Sequence, residues 1–113
     1  MDPDSPELTV TYSRMARVEM GEIWDWNAEQ YGAVHATQYL RFLETTIDQL
    51  GTGYLDGRPV EERPGLFKLP LRKGRSRADH SHVAIYRVDL ARHRVIVLHV
   101  FHTAQNIAGR IEE

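Results

Sequence analysis

Two segments, Arg14 to about Tyr31 and Ala33 to about Leu50, each carry an apolar stripe at helical spacing, and only Gly32 stands between them. In the first, Ala16, Met20, Ile23, Trp24 and Tyr31 recur every three or four residues, with Asn27 completing the stripe. In the second, Ala36, Tyr39, Leu40, Leu43, Ile47 and Leu50 follow the same period until Gly51. Ser13 is positioned to cap the first helix, its hydroxyl replacing a missing intrahelical acceptor. Helices joined by one glycine must fold back on each other, and two such stripes cannot bury one another fully. Both therefore need a further apolar surface, which a β-sheet supplies. Trp24 lies on the stripe. Trp26 points about 200° away at 3.6 residues per turn and is read as a margin residue of the core, with an exposed indole making a protein contact as the alternative.

The sheet is legible on both sides of the hairpin. Leu8-Thr9-Val10-Thr11-Tyr12 alternates and is rich in β-branched and aromatic residues. Three more strand-like runs follow, Leu66 to Leu71, Ser81 to Val88 and Arg94 to Phe101, the last two joined by the turn Asp89-Leu90-Ala91-Arg92-His93. Gly51 to Gly65 reads as a turn-laden connector. The loop Arg72 to His80 is basic and lacks large apolar anchors, so it is expected to be mobile or ordered by a partner, and Thr103 to Ile111 is expected to add a helical turn. The expected architecture is α+β, in the order β-α-α-β-β-β, with the hairpin on one face of a small antiparallel sheet.

A chain of 113 residues fits one domain, taken as 1–113 with residues 1–7 flexible. It has no cysteine, which removes disulfides, thiolate nucleophiles and cysteine-ligated zinc. No apolar run approaches a membrane span, and the acidic, proline-broken start is unlike a signal peptide, so a cytoplasmic protein without membrane contact is expected. The net charge of −2 conceals an asymmetry. Residues 1–62 hold twelve carboxylates against four arginines, and residues 63–113 hold ten Lys/Arg against four carboxylates. Lys68, Arg72, Lys73, Arg75 and Arg77 crowd into ten residues, a density suited to an acidic partner.

Read together, Glu22-Ile23-Trp24-Asp25-Trp26 with Tyr31-Gly32, then Ala36, Tyr39 and Leu43, Gly57-Arg58, Arg63-Pro64-Gly65-Leu66, and finally His82, Tyr86, Arg87, Leu98 and His102 resemble the ParE/RelE superfamily of bacterial type II toxin-antitoxin systems, and the plasmid-stabilisation ParE branch in particular. The resemblance runs from about Thr9 to about Asn106. It departs in the longer Arg72 to His80 loop and in His99, where ParE-like chains commonly carry arginine. It implies a growth-inhibiting toxin that acts on DNA gyrase without cofactor or catalysis and is neutralised by a cognate antitoxin in a hetero-oligomeric complex. Residues expected to meet target or antitoxin are Trp26, Lys68, Arg72, Lys73, Arg75, Arg77, Arg87, His99 and His102.

RelE-like relatives imply a different outcome, ribosome-dependent mRNA cleavage, and a third outcome is a non-toxic antitoxin-binding module. Cleavage by a 2'-hydroxyl needs a base, an acid and a cation for the phosphorane charge, for which Lys68, Arg72, His82 and His102 are the candidates. Pro70 interrupts the basic set between Lys68 and Arg72. His80-x-His82 has the spacing of a metal clamp, but no third ligand is evident, and no metal is expected. His99 and His102 are three apart, so on a continuous strand one should be packed and the other exposed.

Overall fold

The computed structural model describes residues 7–72 and 80–102, with side chains described for all of these except Arg72, His80 and Ser81. Strand β1 spans Thr9–Tyr12, helix α1 Arg14–Tyr31 and helix α2 Ala33–Asp48, followed by a 3-10 turn at Gln49–Gly51. The sheet continues with β2 at Arg58–Pro59, β3 at Phe67–Arg72, β4 at His80–Asp89 and β5 at Arg94–His102, in the spatial order β1-β5-β4-β3-β2. Ser13 caps α1 as expected, its Oγ accepting from the amide of Ala16 at 3.0 Å. Gly32 takes φ +95°, a conformation that L side chains rarely adopt, and this lets the chain reverse in one residue. Expected features beyond the described residues are the flexible lead 1–7 apart from Glu7, the loop from 73 to 79 with Lys73, Arg75 and Arg77, and the helical turn at 103–111.

The hairpin packs on one face of the sheet. Ala16 and Met20 of α1 and Leu43 and Ile47 of α2 join Leu71, Ala84, Tyr86, Val95, Val97 and Val100 in the main core. Buried Asn27 completes the stripe, its amide donating to the Ile23 carbonyl at 2.8 Å. The second face is covered too. Val60 and Leu66 from the connector close over Val83, Ile85 and Phe101. This two-sided burial is why Val95 to Phe101 reads as a nearly continuous apolar run rather than an alternating one.

Four expectations need correction. The sheet is mixed rather than wholly antiparallel, because β1 pairs parallel with β5, Thr9 opposite Arg94 through Tyr12 opposite Val97. The antiparallel reading rested on short connections, and it holds for β2–β3, β3–β4 and β4–β5. β1 leads into helices instead of a hairpin, so no turn imposes its direction. The connector is not wholly turn, since Arg58–Pro59 forms the short edge strand β2. Tyr31, assigned to the buried stripe, is 63% exposed, and Trp26 at 55% exposure is not a core-margin residue. The hairpin outruns the core at its tip, so helical periodicity there no longer reports burial.

Candidate functional site

β5 is longer than β1, and the difference leaves a stretch of its edge without a strand partner. The chain fills it from α1. The amide of Ser13 donates to the Val97 carbonyl at 2.8 Å and its hydroxyl to the Leu98 carbonyl at 2.8 Å. Six residues on, Glu19 Oε1 accepts from the Val100 amide at 3.2 Å and lies 3.1 Å from His99 Nδ1. A register shift between Ile85 and Tyr86 places His99 opposite Ile85 and Val97 opposite Tyr86, leaving Leu98 as the extra residue of β5. His99 is thereby turned inward, 2% exposed and stacked on Phe101 at 4.7 Å. Its expected place on a binding surface is therefore corrected. It secures α1 to β5 from inside.

At the far end of the same strands three ring side chains converge. His82 is the first residue of β4 whose side chain is described, and it pairs across the sheet with His102, the two rings 5.4 Å apart and nearly perpendicular. Tyr39 reaches over from α2 and its hydroxyl lies 2.6 Å from His82 Nδ1. Burial, helped by His102, pushes the His82 imidazole down to about 4, so it is neutral at physiological pH. The tautomer with Nδ1 unprotonated lets Tyr39 donate to it. His102 is exposed, as one of the two C-terminal histidines was expected to be.

The remaining candidates do not gather at this cluster. Lys68 pairs with Ile85, whose side chain belongs to the second core, whereas His82 shares the helix-facing side of β4 with Ala84 and Tyr86. Lys68 is thus half-buried on the opposite face of the sheet, and about 13 Å along β3 from the backbone of Arg72. Arg87 is exposed and lies opposite Ile96. The backbone of Arg72 pairs with that of His80. Tyr86, weighed between packing and function, is structural. Fully buried, its hydroxyl donates to the Tyr54 carbonyl at 3.0 Å and accepts from the Gly57 amide at 2.9 Å, pinning the connector to the sheet.

A groove of about 410 Å³ runs between the helices and β1, lined by Tyr12, Arg17, Met20, Gly21, Leu40, Glu44 and Asp48. The buried Tyr12 hydroxyl has no hydrogen-bond partner among the described residues, and burial together with nearby Asp48 and Glu44 raises its pKa. It stays a protonated donor. Sequence reading did not single out this groove, nor Glu19 or the hydroxyl of Tyr39, because each depends on contacts between residues far apart in the chain. Among the described residues no group of three or more His, Asp or Glu is placed to hold a metal ion.

Residues 10–107 match the family model described as the ParE toxin of the type II toxin-antitoxin system parDE. The chain belongs to the ParE family. Toxin ParE1 of Caulobacter vibrioides is 33% identical over 88% of this chain and 93% of its own length. Toxin ParE1 of Mycobacterium tuberculosis is 36% identical over 67% of this chain and 70% of its own. A solved chain of the chromosomal ParDE system from P. aeruginosa superposes with a TM-score of 0.72 at 20% identity, covering 87% of this chain and 98% of that one. A chain of the toxin-antitoxin complex RelBE2 from M. tuberculosis superposes with a TM-score of 0.51 at 21% identity, covering 93% and 100%. At those identities the superpositions show a shared ParE/RelE fold. Membership makes the chain a toxin of a type II toxin-antitoxin system, and the helix-on-sheet architecture is that of its family.

Proposed function

We infer that this toxin inhibits DNA gyrase by binding it, without chemistry of its own, and that a cognate antitoxin neutralises it in a hetero-oligomeric complex. Family membership over most of the chain carries the reading, and the dispersal of the candidate nuclease groups supports it. Lys68 faces away from the His82–His102 pair across the thickness of the sheet, so the lysine and the imidazoles do not address one phosphate. Purified protein should inhibit gyrase supercoiling in proportion to its concentration, and controlled expression should stop DNA synthesis before protein synthesis. Unchanged supercoiling at a large molar excess of toxin would overturn the assignment.

The antitoxin is inferred to be a small protein whose tail folds as it wraps the hairpin and sheet edge. Ordering such a tail costs chain entropy, so it needs an extended set of apolar and charged contacts. The groove lined by Met20 and Leu40 offers apolar contact, and the basic half of the chain attracts acidic residues of the tail.

One observation favours mRNA cleavage as a second reading, namely the approach of Tyr39, His82 and His102 from three elements. Under it His82→Ala and His102→Ala abolish cleavage of ribosome-bound mRNA while the variants stay folded. Early loss of protein synthesis on expression, with DNA synthesis continuing, would replace the gyrase reading with this one.

A further inference from the structure

The hairpin extends past the body it is packed on. Asn27 is the last buried residue of α1 and Ala36 the first of α2, and every residue from Glu29 to His35 is exposed. The free end therefore stands about 9 Å beyond Tyr39, the six-residue rise of α2 from Ala33. Large apolar groups are concentrated there. Trp26 is 55% exposed, Tyr31 63% and Val34 74%.

These side chains form an ordered row. The rings of Trp26 and Tyr31 meet edge to face with centroids 6.0 Å apart, and Tyr31 lies 4.8 Å from the ring of His35. Trp24, Trp26 and Tyr31 all lie outside the core clusters, but Trp24 is tied to α2 by its indole donating to Thr37 Oγ1 at 3.2 Å. The fold has no packing use for the row. Exposed Asp25 and Glu29 flank it on α1, with no cation within ion-pair distance among the described residues. Aromatic faces beside unpaired carboxylates recognise arginine and lysine, through the ring quadrupole and through charge-assisted hydrogen bonds. Trp and Tyr are also the residues most enriched among energetic hot spots.

We propose that this projecting tip is the target-docking surface of the toxin and that its occupant is a cationic, arginine- or lysine-bearing surface of gyrase. The proposal rests on the gyrase reading given above. Charge distinguishes the tip's occupant from the antitoxin tail, because an acidic tail suited to the basic half of the chain is repelled by Asp25 and Glu29.

The test uses the full-length toxin, purified gyrase and purified cognate antitoxin, with binding measured for wild type and two double variants. Trp26→Ala with Tyr31→Ala removes the aromatic row, and Asp25→Lys with Glu29→Lys reverses the charge. All four positions are exposed, so circular dichroism and melting temperature should be unchanged. Each variant should bind gyrase at least about tenfold more weakly while keeping its affinity for the antitoxin, the loss expected for hot-spot residues. Wild-type affinity for gyrase in both variants overturns the proposal. So does selective loss of antitoxin binding, which would make the antitoxin the occupant, or loss of wild-type self-association, which would make it a second copy. If wild-type protein itself does not bind gyrase, the target reading fails first and this assignment falls with it, an outcome visible before any variant is made.

Discussion

Tyr86 shows how much one side chain carries here. Its ring is fully buried, stacked at 5.6 Å on Phe67, and its hydroxyl serves both a carbonyl and an amide of the connector. Tyr86→Phe leaves the Gly57 amide and Tyr54 carbonyl without that partner, and should destabilise the fold by about 1–3 kcal/mol in denaturant melts. A Cβ added at Gly57 would clash with the Tyr86 hydroxyl, so Gly57→Ala should cost at least as much. Glu19 holds β5 by the same logic. Glu19→Ala removes the acceptor for the Val100 amide and the partner of buried His99, with an expected loss of about 1–3 kcal/mol. A loss within experimental error would show that the strand edge is sealed some other way. His82 adds a pH dependence. Its folded pKa, about 4, lies below the ordinary 6.5, so the unfolded chain binds the proton more readily between these values. The His82 contribution is complete above about pH 6.5 and is lost as pH falls toward 4. His82→Asn should flatten the melting temperature across that window, and an unchanged slope would locate the effect in another group.

Among the elements, the hairpin and β5 carry the surfaces proposed for target and antitoxin. Gly32 enables the reversal between α1 and α2 through its φ of +95° and ψ of 161°. No atom crowds the position, so the penalty of Gly32→Ala is backbone strain alone, about 1–3 kcal/mol. The variant should melt earlier, and its loosened tip should weaken target binding more than antitoxin binding. The bulge in β5 shifts its side-chain alternation by one residue after Val97. Val95, Val97 and Val100 face the helices and Phe101 faces the connector. The single-glycine hairpin, the cap at Ser13 and the strand runs are all plain in the sequence, since they express local propensity and periodicity. The bulge at Leu98 and the parallel β1–β5 pairing are not, because both depend on which strand lies alongside.

At the scale of the whole molecule, charge and shape coincide. Residues 1–62, which include both helices, hold twelve of the sixteen carboxylates and residues 63–113 ten of the fourteen Lys/Arg, so the two halves of the chain differ in sign. Association with an acidic antitoxin tail should weaken steeply as ionic strength rises, with the on-rate affected most. An antitoxin on-rate independent of salt would argue for purely apolar docking in the groove. Composition and periodicity by themselves determined the α+β class, the charge division and the order of the elements apart from the short edge strand β2, because those follow from the residues of each segment. The ParE/RelE likeness was also legible, since its motifs are read along the chain. Only the tertiary structure decided that His99 is buried, that Lys68 and His82 lie on opposite faces of the sheet, and that Trp26 and Tyr31 stand in solvent. Those outcomes depend on where the sheet ends relative to the helices and on which distant residues it brings into contact, and no local pattern in the chain encodes that relation.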